Sequence, residues 1–139
     1  MRQAIADVGS TAKLCGYNMQ DTSTAIGLLT NSGLPAAQAA QDLNFALLRL
    51  VAPTKGVQSA MSDLGISVRD QNGDMKPLPT ILNDVAKATE GMGKAQRDAA
   101  LKALFGTAGM KAMMPLLDAI RDKSGKASTS WYGFANAID

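Results

Sequence analysis

Proline and glycine punctuate this chain so regularly that neither a long rod nor an extended sheet can be drawn through it. Gly16, Gly33, Pro35, Pro53, Gly65, Pro79, Gly91, Gly93 and Gly106 divide residues 1–105 into stretches of roughly ten to seventeen residues, the span of ordinary globular helices. In most of these stretches the apolar residues recur with a helical period. Ile5, Val8, Ala12 and Cys15 share one face of a first helix over Arg2 to Leu14, ended by Gly16. Asn18, with Asp21 three residues on as a short-armed capping box, opens a second helix carrying Met19, Ile26 and Leu29, and Asn31-Ser32-Gly33 stops it. Pro35 opens a third, running to Val51 with Ala36, Ala39, Ala40, Leu43, Leu47, Leu50 and Val51 inward. Its early turns are alanine and its later turns leucine, so one end can approach a neighbouring backbone while the other fills volume. That makes it the predicted central helix.

Thr54 caps a fourth helix, Lys55 to Leu64, with Val57, Ala60, Met61 and Leu64 inward and Gly65 at its end. The period then changes. Ile66-Ser67-Val68-Arg69 alternates, Asp70 to Asp74 is turn chemistry, and Met75 to Leu78 returns, which predicts one small β-hairpin. Pro79 begins the next helix, with Ile81, Leu82, Val85 and Ala88 inward. Lys94 to Phe105 forms another, burying Leu101, Leu104 and Phe105 and exposing Lys94, Arg97, Asp98 and Lys102. After Gly106, Thr107 caps a last helix carrying Met110, Met113, Met114, Leu117 and Ile120, with a kink or split expected near Lys111 because Pro115 lies too far inside. The fold class is therefore all-α, a compact bundle of about six or seven helices with one small hairpin near Ile66–Leu78. It occupies residues 1–122. Residues 123–139 read as a polar linker leading to Trp131, Tyr132 and Phe134, the start of a following segment.

Composition removes most enzyme classes. The chain has no histidine and one cysteine, so histidine-based triads, histidine zinc sites and Cys-x-x-Cys redox pairs are excluded within it. Cys15 itself is expected to be core packing. Aromatics at 4% leave no set of stacking rings for single-stranded nucleic acid. No apolar run is long enough to span a bilayer: Phe45 to Leu48 is broken by Arg49, and Ala112 to Leu117 is bounded by Lys111 and Asp118. The Asp70-Gln71-Asn72-Gly73-Asp74 run lacks calcium-loop spacing and is explained by turn geometry. Asp63, Asp70, Asp74 and Asp84 belong to caps, turns and surfaces and form no acid–base pair, and Gly106-Thr107-Ala108-Gly109 lacks the lysine of a phosphate loop. Neither a catalytic residue, a metal site, a cofactor nor a small-molecule substrate is expected.

Two surfaces remain as candidates. Met110, Met113, Met114 and Leu117 form a stripe suited either to the core or to an adaptable partner-binding face. Val85 to Lys126 carries eight basic against four acidic residues, and Lys94, Arg97, Lys102 and Lys111 are the candidate basic face for a DNA-associating module, the alternative function. Interleaved acids favour a solvated surface over that reading.

A longer ordered pattern is more specific. Leu64-Gly65-Ile66-Ser67-Val68, Asp70 and Gly73, Leu78, Ile81-Leu82, and Leu104-Phe105-Gly106 followed by Gly109 resemble, in this order, the core region of phage tail tape measure proteins. Leu28-Leu29, Gly33-Leu34, Leu47 to Leu50 and Pro53 fit the upstream part and Leu116-Leu117 the downstream part, so the resemblance covers roughly Ile5 to Ile120. It implies a structural virion protein of a phage or prophage, made in the host cytoplasm, lying in the tail lumen, setting tail length and leaving ahead of the DNA. The partners it implies are tail-tube and tail-assembly proteins and other tape measure chains, as a homo-oligomer in the tail. A ruler must be far longer than this chain, which is expected to be one compact fragment of it or a degraded prophage remnant.

Overall fold

The computed structural model describes residues 2–120. Six helices follow in order: α1 (Arg2–Leu14), α2 (Met19–Asn31), α3 (Ala36–Val51), α4 (Lys55–Leu64), α5 (Leu78–Ala88) and α6 (Lys94–Ile120). Residues 121–139, including the expected domain boundary, the linker and Trp131, Tyr132 and Phe134, lie outside the described residues.

Local chemistry sets the ends. Asn18 Oδ1 accepts from Asp21 N–H at 2.8 Å, and Thr54 Oγ1 from Val57 N–H at 3.4 Å. Three helices close by the same device. An amide two or three residues past the helix reaches back over the last turn, Tyr17 N–H to Ala12 O, Leu34 N–H to Leu29 O and Ile66 N–H to Met61 O, with a glycine before each donor. This is the Schellman closure, in which an apolar residue follows the glycine and folds back onto the helix it ends.

α3 is the central helix, as its alanine-to-leucine gradient predicts. It packs against α1 on one flank and α6 on the other, with α2 beside it, while α4 and α5 pack on α6. Ala39, Ala40, Leu43, Ala46, Leu47 and Leu50 on α3 and Leu101, Leu104, Phe105, Met113, Leu116 and Leu117 on α6 are buried in one core, to which the other helices add Val8, Leu29, Val57, Ile81, Leu82 and Val85.

The expected hairpin is not present. No strand forms among the described residues. Residues 66–77 instead make a tight loop with one isolated antiparallel bridge, Arg69 to Met75, and bonds from Asp70 N–H to Asp74 O and Lys76 N–H to Val68 O. A lone two-stranded ribbon is marginal in water, and the backbone here finds other partners. Tyr17 Oη donates to Lys76 O at 2.7 Å, and the Arg69 guanidinium donates to Gly73 O and Val51 O. Pro77, which has no amide to extend a ladder, precedes the first residue of α5. That helix begins at Leu78, one residue before the position expected from Pro79.

The expected break at Gly106 is present, but the further split expected near Lys111 is not. The residue of α6 that leaves helical geometry is Gly106, at φ 72° and ψ 171°, whereas Pro115 stands inside the helix. A φ/ψ pair of this kind is open essentially to glycine alone. Pro115 forfeits only the bond to the carbonyl of Lys111, an exposed residue, where water can replace it.

Candidate functional site

The methionine stripe divides between core and surface. Met113 and Leu117 are fully buried. Met110 and Met114 are partly buried and, with Leu34, Pro115, Lys111 and Asp118, line an open depression of about 730 Å³ between the α2–α3 corner and the second half of α6. An apolar floor with one cation and one anion on its rim suits a helical or extended protein partner better than a small ligand, which needs enclosure.

The basic residues fall on both sides of the break in α6. Lys94, Lys102 and Lys111 are exposed, but Lys111 follows the break at Gly106, and Lys94 and Lys102 are eight residues apart on the preceding segment. Arg97 is half-buried, with Nε and Nη2 shut off from solvent and without a hydrogen-bond partner. The carboxylates are equally dispersed. Asp70 accepts from Asn72 N–H and Asp74 N–H inside its own turn, and Asp84 pairs with Lys76 at 3.5 Å. Among the described residues no group of three His, Cys, Asp or Glu side chains is placed to hold a metal ion, and no helix is long and apolar enough to cross a membrane.

Cys15 is buried behind the α1 terminus, as its apolar spacing predicts. Loss of solvent around the thiol pushes its pKa up to about 11, with the Arg69 guanidinium opposing. Burial likewise raises the Tyr17 phenol well above its ordinary range. Neither group is poised as a nucleophile at neutral pH.

Arg49 and Phe45 bridge α3 and α6 in a way the sequence does not announce. Arg49 was legible only as a charge interrupting an apolar run. It reaches from α3 to α6, where Nη2 donates to Ala103 O and Nε to Leu104 O, each at 3.1 Å, while its guanidinium lies 5.7 Å from the centroid of the Phe45 ring. A cation here also faces the negative end of the Lys94–Phe105 segment. Phe45 packs so closely on the break that a Cβ at Gly106 would lie 2.9 Å from Phe45 Cε1. Three residues on, a Cβ at Gly109 would meet Phe105 Cβ at 3.1 Å and Ala46 Cβ at 3.3 Å. The two glycines of the Leu104-Phe105-Gly106…Gly109 motif thus have separate physical roles. One supplies a backbone conformation and the other a close helix crossing.

Phe45 and Leu48, each about two-fifths exposed, leave an apolar ridge on α3 beside this crossing. Across the molecule, Ile5, Val8, Ala12 and Ile26 line a groove of about 420 Å³ between α1 and α2. These three surface features, among the described residues, are largely apolar.

Comparison with known proteins adds what the geometry leaves open. A family model described as phage-related minor tail protein matches residues 1–106. The tape measure protein of Pneumococcus phage Dp-1 is 32% identical over 130 residues, 94% of this chain and 11% of that protein. The probable tape measure protein of Escherichia phage P2 is 28% identical over 121 residues, 86% of this chain and 15% of that protein. The chain thus spans only a small part of the length of either relative. No solved structure matches it.

Proposed function

Because this chain belongs to the phage-related minor tail protein family, we propose that it is a folded helical portion of a tail tape measure protein, working in tail assembly through contacts and not through catalysis. The observation that carries the reading is the similarity to a tape measure protein along 94% of the chain. The architecture agrees with it physically. Shallow apolar surfaces at Met110 and Met114, Phe45 and Leu48, and the α1–α2 groove are suited to docking other chains, and tail-tube proteins, tail-assembly proteins and further tape measure copies are the partners we assign them. In this reading the parent protein lies in the tail lumen after assembly in the host cytoplasm, sets tail length and departs during DNA ejection.

Length measurement itself belongs to the rest of the parent chain. A continuous helix over residues 2–120 would reach about 180 Å at 1.5 Å per residue, whereas the observed helices pack side by side around α3 and α6. In-frame removal of residues 2–120 from the parent phage gene tests this, with tails counted and measured by electron microscopy. Few or no complete tails are expected. A normal yield of infectious tails shortened by about 180 Å would instead make this segment part of the ruler.

A further inference from the structure

Two carbonyl oxygens and one guanidinium decide the shape of α6. Arg49 donates to Ala103 O and Leu104 O. In an uninterrupted α-helix these oxygens accept from the amides four residues on, Thr107 N–H and Ala108 N–H. Gly106 at ψ 171° turns the following peptide away, leaving the two oxygens to the arginine. Were Gly106 helical, the next turn would cover both oxygens and displace the guanidinium. It would also end the seating of the Phe45 ring against the break. Arg49 and Phe45 lie one turn apart on α3, so a single helical turn supports the bent form of α6 from both sides.

We propose that α6 is a two-state element, bent in this structure and straight in an alternative state, and that Arg49 is the latch between them. The straight state gains continuous backbone bonds across residues 103–108. It gives up the Gly109–Ala46 crossing and uncovers apolar residues that the second segment now buries, among them Met113, Leu116 and Leu117. In the isolated domain the bent form therefore dominates, and the straight form grows when the latch is removed or when another apolar surface takes over that stripe. The inference concerns this chain's own backbone and does not rest on the tail reading.

The test uses the whole 139-residue chain with Cys15→Ala and spin labels at Gln96→Cys and Asp118→Cys, both exposed positions. A straight α6 places these Cα atoms about 33 Å apart, at 1.5 Å per residue, and the bent form places them closer. Unsubstituted α6 should give the shorter distance and rapid exchange of the Thr107 and Ala108 amides. Gly106→Ala, which disfavours the bent backbone and crowds Phe45, should give the 33 Å distance with helicity retained and those two amides protected at least tenfold. Arg49→Ala should shift part of the population the same way. Thr107→Pro removes an amide needed only by the straight form and should return Arg49→Ala to the short distance, whether Arg49→Ala alone straightens or unfolds. The latch is overturned if Gly106→Ala keeps the short distance or unfolds without the long one. It is equally overturned if Arg49→Ala stays folded and bent, or if Thr107→Pro fails to restore the bent form.

Discussion

Where α6 crosses α3, the helices approach as closely as a missing side chain allows, with the space of a Cβ at Gly109 already filled by Phe105 and Ala46. Between α4 and α5 the chain is held differently. Residues 66–77 are tied down by a phenol on Lys76 O and a guanidinium on Gly73 O and Val51 O, with Val68 the buried apolar side chain in the loop. The first region is fixed by dispersion and excluded volume, which tolerate little change of shape. The second is fixed by a few polar bonds, each of small net value because water is the competing partner. Mutational cost should therefore differ severalfold between them.

Five experiments test that contrast. Phe105→Ala at the crossing should lower stability by about 3–5 kcal/mol, read as a fall in urea midpoint, because a fully buried ring leaves a cavity. Gly109→Leu should cost about 1–3 kcal/mol or more by overpacking against Ala46. Tyr17→Phe, which deletes only the hydrogen bond to Lys76 O, should cost about 1 kcal/mol. If it matched Phe105→Ala, the contrast would fail. The titration of Cys15 contributes nothing to stability at neutral pH. Burial lifts its folded pKa from the ordinary 9.0 to about 11, so the unfolded chain loses the thiol proton first. Stability should then fall as pH rises from about 9 towards 11, and Cys15→Ala should flatten that slope. Iodoacetamide at pH 8 should react with the native thiol far more slowly than with the urea-unfolded one.

The same contrast explains what could be read from the sequence. Helix limits were legible because their determinants are local. Asn18 serves an amide three residues on, and each Schellman glycine acts on the turn it ends. The inward stripes of α3 and α5 followed from periodicity, with Ala86, not Ala88, the buried alanine of α5. The hairpin was misread because alternation at Ile66 and Val68 marks burial, not pairing. The bonds that hold the loop come from Tyr17 and Arg69, and nothing in 66–77 alone reveals the first. Arg49 was invisible for the same reason, since its acceptors lie more than fifty residues away. The methionine stripe showed its period but not its division into buried Met113 and partly exposed Met110 and Met114.

The placement of α3 also bears on synthesis. Its leucine face meets α6 only after some fifty further residues have been made, so a nascent chain emerging from the ribosome carries Leu43, Leu47 and Leu50 without their main cover. Stalled or truncated products ending before Lys94 should therefore be sticky and short-lived in the host. Release of the whole of α6 from the exit tunnel becomes the committing event in maturation.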